Sequence, residues 1–220
     1  ELRQIVGLPM GQIAGFGYRK DAQGRQIFGG NGLPLRTTDL VNFGSALPNW
    51  VGGITNSFNI YGFNLSFLID FKLGNMMLSG TNFNAYRHGL HKKTLEGREG
   101  GIIGDGVDIN GNENTVKAAA QPYWEIVRSQ ALIEPVIYKG GYWKLRQITA
   151  GYDLTKYIPK AWPVNSLRLN LFANNVWMIK KWVDNIDPET FGFSSDNLIG
   201  MESPGLPSSR SIGVNLNIKF

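Results

Sequence analysis

The last eleven residues, Arg210 to Phe220, alternate without a break. Ile212, Val214, Leu216, Ile218 and Phe220 are apolar, whereas Ser211, Gly213, Asn215, Asn217 and Lys219 are small, polar or charged. A period of two places the two sets on opposite faces of a strand. A tilted strand needs about 9–11 residues to cross a bilayer, and this one ends on an aromatic residue. The pattern predicts the closing strand of an antiparallel transmembrane β-barrel in an all-β fold.

Composition agrees once that hidden period is recognised. The mean hydropathy of −0.17 and 18% charged residues resemble an ordinary soluble protein. No apolar run is long enough for a transmembrane helix, which needs about 18 residues or more. Yet Leu40 to Ile69 contains no Lys, Arg, Asp, Glu or His. A barrel strand conceals its hydrophobicity in this way, because only alternate residues meet lipid. Gly makes up 28 of 220 residues, against a usual share of about 7%. The absence of Cys excludes a disulfide scaffold and a Cys-based zinc site. The net charge of +5 is scattered, with no basic helix or recognition motif, which argues against nucleic-acid binding. No secretory leader is visible. The chain opens as if inside a fold, so the expectation is one barrel domain over 1–220 that belongs to a longer protein.

Other strands follow the same rule. Phe63, Leu65, Phe67, Ile69, Phe71 and Leu73 form one stripe, and Asn64, Ser66, Asp70, Lys72 and Gly74 the other, with Leu68 the exception. Residues 51–60 precede them, and Tyr61-Gly62 suits a tight hairpin turn. Leu167, Leu169, Leu171 and Ala173 alternate with Arg168, Asn170, Phe172 and Asn174. Residues 142–153 are less regular, since Lys144 and Arg146 share the parity of Ile148, Ala150 and Tyr152. Either a bulge switches the face, or the upper half stands beyond the apolar band. The second is favoured, because charges are tolerated there. A weaker strand is expected within Gln12–Lys20, and one short helix from Pro122, since proline suits a first helical position.

The connections orient the chain. The turn at 61–62 is short and 154–166 is moderate, while 76–141 and 178–209 are long. Outer-membrane barrels have short periplasmic turns and long extracellular loops. Phe220 is therefore expected at the periplasmic end, with 21–50, 76–141 and 178–209 outside. Five or six strands cannot close a barrel, the smallest of which have about 8. The remaining strands must come from residues outside this sequence or from other chains.

Several segments also resemble a known family. They are Gly7-Leu8-Pro9-Met10-Gly11 with Gly15-Phe16-Gly17-Tyr18, Leu47 to Phe58 followed by Phe63 to Asp70, Tyr142 to Tyr152, Leu167 to Trp177, and Asp187-Pro188-Glu189. Together, and in this order, they resemble the SusC/RagA-type TonB-linked outer-membrane proteins of Bacteroidota. Gln147 stands where the family usually has an acidic residue, and Ala150 where it has a larger apolar one. The plug domain and TonB box have no counterpart here. The resemblance implies the C-terminal part of a 22-stranded barrel with a plugged lumen. It further implies TonB-dependent import of oligosaccharides or peptides across the outer membrane of a Gram-negative bacterium. A SusD-like lipoprotein would serve as the lid. TonB would engage a region outside this sequence. The family also implies that Phe220 is an assembly signal for the barrel-insertion machinery.

No catalytic, metal or cofactor pattern emerges, so no enzyme is expected. His88 and His91 sit three apart, but no Cys or nearby Glu completes a site. Asp105 to Asn114 lacks the spacing of a calcium loop, and the glycines at 100, 101, 104 and 106 are not followed by the Lys-Ser/Thr of a phosphate loop. The candidates for substrate contact are loop aromatics: Tyr123, Trp124, Trp182, Phe191 and Phe193. Asp70, Lys72, Arg168 and Asn170 are expected to face the lumen, where they line the route or bond to the plug. Two other readings remain open. A soluble β-sandwich carbohydrate-binding module would bury the apolar stripes against a second sheet. A barrel used for export or adhesion would share every strand pattern. The alternation of long and short loops and the terminal Phe220 disfavour the sandwich.

Overall fold

Tyr61 and Gly62 both adopt positive φ, 48° and 84°, as the two central residues of a tight turn matched to strand twist do. They join β1 (Trp50–Ile60) to β2 (Phe63–Leu73) in perfect register, from Ile60 opposite Phe63 to Trp50 opposite Leu73. The structure is a computed structural model, and it describes residues 1–189, 199–203 and 205–220. No described helix is long and apolar enough to cross a membrane. The chain contains two units. One comprises Pro48–Gly74, Gly140–Glu189 and Leu206–Phe220; the other comprises Glu1–Leu47, Asn75–Lys139 and Thr190–Gly205.

The first unit is a five-stranded sheet. After the hairpin come β3 (Tyr142–Asp153), β4 (Ser166–Lys181) and β5 (Ser211–Lys219), each antiparallel to the strand before it. Neighbours in the sheet are thus neighbours in the chain, as the sequence predicts. Cross-strand partners share a face, so the register assigns the faces. One face carries Ile54, Ile69, Leu145 and Trp177 in one row. It carries Phe58, Leu65, Ala150, Leu171 and Val214 in another. The opposite face carries Ser57, Ser66, Thr149, Phe172 and Gly213, and below them Asn64, Gly151, Asn170 and Asn215. Two glycines make room for rings: a Cβ on Gly213 would lie 2.4 Å from Phe172, and one on Gly52 would lie 2.7 Å from Phe71.

A bulge resolves the irregular strand. Leu145 pairs with Ile69 and Gln147 with Leu68, which leaves Arg146 as the extra residue. On the other side Leu145 pairs with Trp177 and Gln147 with Asn174, and Asn175 turns to φ 51°. The expectation that the upper half keeps its parity above the apolar band is therefore corrected. The extra residue switches parity, so Trp143 and Leu145 join the apolar face while Tyr142 and Lys144 join the polar one.

Apolar residues on that first face are open. Ile54 is 52% exposed, Val214 64% and Leu216 54%. Within this unit no second sheet covers them, which is the cover a sandwich requires. Aromatic rings mark both ends of the face. Trp50, Trp143 and Trp177 lie near one end, with Trp143 stacked on Phe71 at 4.5 Å. Phe63 and Tyr152 pair at the other, and Tyr157 lies 6.5 Å from Tyr152.

The second unit is built of short elements. Leu2–Arg3, Gln12–Gly15 and Val41–Ser45 form one antiparallel sheet. The weak strand expected within Gln12–Lys20 thus exists, but in a different sheet from the five long strands. Met76–Ser79 pairs in parallel with Met201–Glu202 and antiparallel with Ile137–Lys139. It leads into α1 (Gly80–Arg87), whose N-cap Ser79 accepts a hydrogen bond from the Asn82 N–H. The Glu202 carboxylate accepts from the Ser79 hydroxyl at 2.7 Å and from the Thr81 N–H at 3.1 Å. A carboxylate suits the positive end of a helix. The single short helix expected from Pro122 is two turns, α2 (Ala120–Trp124) and α3 (Ile126–Ser129), with Pro122 at the third position rather than the first. Tyr86, Val127 and Val136 are buried at the centre, with Phe83, Trp124, Ile133 and Tyr138 packed around them.

Candidate functional site

The bulge places a guanidinium on the polar face of the sheet, where it would otherwise be excluded by parity. Arg146 donates from Nε to Asp70 Oδ2 at 3.0 Å and from Nη1 to Asn175 Oδ1 at 3.0 Å. It also donates to both carboxylate oxygens of Glu189. Glu189 is the hub of this cluster. Its carboxylate further accepts from the Tyr142 hydroxyl at 2.8 Å and from the Lys144 ammonium. Lys144 is only 3% exposed and gives a second bond, at 2.8 Å, to the Ser208 hydroxyl. Burial alone would raise the Glu189 pKa; donation by Arg146, Lys144 and Tyr142 wins and holds it down at about 2.

Asp187 fixes the segment that delivers Glu189. Its carboxylate accepts from the Glu189 N–H at 3.0 Å, from the Ser208 N–H at 3.1 Å and from the Ser208 hydroxyl. Two carboxylates from one tripeptide therefore tie residues 187–189 and Ser208 to the strand bearing Lys144. The arrangement positions chain, since the Arg146 and Lys144 donors are engaged by carboxylate, hydroxyl and amide oxygens. The sequence singles out Asp187-Pro188-Glu189 but not this role, because the partners lie 43 to 47 residues away.

Asp70, Lys72, Arg168 and Asn170 all fall on the polar face of the sheet. They do not form one group. Asp70 and Lys72 lie near the Tyr142 end, opposite Lys144 and Tyr142. Arg168 and Asn170 lie opposite Asp153 and Gly151 at the other end, where Arg168 donates to Asp153 at 3.3 Å. Phe220 follows β5 and is 81% exposed.

The aromatic candidates separate too. Trp182 follows β4 in the sheet unit, with the Lys180 ammonium 5.9 Å from its ring. Tyr123 and Trp124 belong to the second unit, edge to face at 5.1 Å. Phe191 and Phe193 lie outside the described residues. Trp124 lines a cavity of about 560 Å³, together with Tyr86, Arg87, His88 and Arg98. His91 stacks on Tyr86 at 4.3 Å and caps a turn through Nδ1. Among the described residues no group of three or more potential ligands could hold a metal.

No family model matches the sequence, and no curated protein matches it. Solved structures do. This chain is similar in fold to part of the RagAB peptide transporter. A structure of that transporter matches with a TM-score of 0.59, at 14% identity over 94% of this chain. The RagAB peptide importer matches with TM-scores of 0.60 in a closed-closed state and 0.56 in an open-open state, again at 14% identity. The chain spans 22% of the length of each of these. At that identity the likeness is one of fold, and it establishes a distant structural relationship.

Proposed function

We propose that this chain forms part of the wall of an outer-membrane importer barrel, with its apolar face toward lipid and its polar face toward a plugged lumen. The observation that carries this reading is the exposed, largely apolar face across five antiparallel strands, with aromatic rings near both ends. From Trp50 to Ile60 there are ten steps of about 3.4 Å, which a tilt of about 40° converts to roughly 26 Å of height. An outer-membrane barrel presents an apolar band about 25 Å tall between aromatic girdles. The edges β1 and β5 would leave backbone groups unpaired in lipid, so further strands must flank both.

Import driven through TonB, beneath a SusD-like lipoprotein lid, follows from the family resemblance and is supported by the fold shared with RagAB. Peptides are favoured over oligosaccharides as cargo, because RagAB, whose fold this chain resembles, is a peptide importer. The test uses cells with and without the full-length protein. The reading predicts a heat-modifiable outer-membrane protein whose loss abolishes uptake of labelled peptides, and uptake that stops when the proton gradient is collapsed. Recovery as a soluble protein without detergent, or uptake indifferent to the gradient, would overturn it.

A further inference from the structure

The cavity beside α1 carries chemistry that the importer reading leaves unspecified. Its volume of about 560 Å³ suits a small ligand or a few residues of a chain, since such sites span about 300–1,000 Å³. Arg87, Arg98 and His88 stand on its lining, which includes no Asp or Glu. Arg98 is locked in place: it donates from Nε to the Thr94 carbonyl at 2.9 Å and from Nη2 to the Gly89 carbonyl. That leaves Nη1 without a hydrogen bond among the described residues. The side chain of Arg87, the last residue of α1, makes no hydrogen bond or ion pair among them either. Trp124 supplies an apolar wall, anchored by donation from its indole Nε1 to the Glu96 carbonyl at 3.2 Å and by contact with the buried Tyr86 ring at 5.8 Å.

A half-buried arginine with open donors, a second arginine held rigid and an anchored indole together match a carboxylate attached to an apolar group. Guanidinium forks bind carboxylates in paired hydrogen bonds, and a fixed donor loses little freedom on binding. We infer that this cavity binds a carboxylate-bearing segment of a peptide, with Arg87 and Arg98 on the carboxylate and Trp124 against the neighbouring side chain. The assignment rests on the importer reading for its cargo and makes acidic peptides the preferred class.

The test is binding of tetraglutamate and of an uncharged tetraglutamine amide to the purified full-length protein in detergent. Wild type should hold tetraglutamate at least about tenfold more tightly, the scale of a charge-assisted hydrogen bond, and added salt should narrow the gap. Arg87→Gln should remove most of the preference, whereas Arg87→Lys should keep part of it. Arg87 is the residue to change because it holds no loop together, and a heat-modified band on a gel shows that each variant is folded. Equal affinity for the two peptides, or an unchanged preference in folded Arg87→Gln, would overturn the inference. Uptake separates the two readings. Arg87→Gln cells that still import the uncharged peptide show an importer with its selectivity altered. Wild-type cells that import neither peptide reject the importer reading, while the binding comparison still decides the cavity.

Discussion

The Arg146 guanidinium and the Glu189 carboxylate meet on the polar face of the sheet, 43 residues apart in the chain. Arg146 is there because it is the extra residue of a bulge, and Glu189 because Asp187 fixes the backbone that presents it. The pair fastens the segment after β4 to the middle of β3. Removing Glu189 would leave the almost fully buried Lys144 with Ser208 as its remaining partner. Arg146 would still have Asp70 and Asn175.

Glu189→Ala should therefore destabilise the folded protein by about 3 kcal/mol, at the low end of what breaking a buried ion pair costs. The measurement is the denaturant midpoint of the full-length protein in detergent. The pH dependence has a definite sign. A carboxylate whose folded pKa is about 2, below its ordinary 4.5, contributes stability that is complete above about pH 4.5. That contribution is lost as pH falls toward 2. Wild-type stability attributable to this group should be flat from about pH 5 to 8 and decline below, and Glu189→Ala should lack that acid-side decline.

The bulge makes a separate prediction. Deleting Arg146 would remove the extra residue and restore regular pairing with β2, with Trp143 and Leu145 still on the apolar face and Tyr142 and Lys144 still on the polar one. The deletion should therefore still give folded protein, whereas one alanine inserted after Gln147 would turn Trp143 and Leu145 to the polar face and should abolish assembly. Equal yields of heat-modifiable protein from the two variants would remove the role assigned to the bulge.

The five strands were legible because each writes its faces in a period of two, and Tyr61-Gly62 writes its turn in residues that tolerate positive φ. The fault in parity at Lys144 and Arg146 was also visible. Its cause was not, because a bulge and a strand rising beyond the apolar band give the same local pattern. Helix α1 left a weaker trace. It opens with Gly80 and contains Thr81, Asn82 and Asn84, which are poor helix formers, and it depends on capping by Ser79 and on Glu202, more than a hundred residues on. The Glu189 hub was invisible for the same reason. Its motif stood out, but spacing along a chain does not reveal which distant donors a carboxylate will meet.

Contact with a lid protein should run through 76–141 and 178–209, which are long and carry Trp124 and Trp182. Photo-cross-linkers placed at those two tryptophans in intact outer membranes should capture a surface-exposed lipoprotein. Capture of periplasmic proteins alone would place these segments on the wrong side.

Phe220 should act in assembly rather than in transport. It follows the most regular strand, and its ring belongs at the periplasmic boundary if that strand closes a barrel. Deleting it should lower the amount of folded protein in the outer membrane, while the molecules that do assemble transport at the normal rate. Normal abundance with lost uptake would assign the residue to the substrate route instead.

The central claim is that the apolar face meets lipid, and adjacent residues on β5 test it most directly. Leu216 pairs with Leu169 and Asn217 with Arg168, so the two positions point to opposite faces. Spin labels at each, in the full-length protein in vesicles, report collision with dissolved oxygen, which concentrates in lipid, or with a water-soluble nickel complex. The account predicts oxygen access at 216 and not at 217, and a cost of about 2–4 kcal/mol for Leu216→Arg near the bilayer midplane. Lipid contact at 217 instead of 216, or nickel access at both, would contradict it.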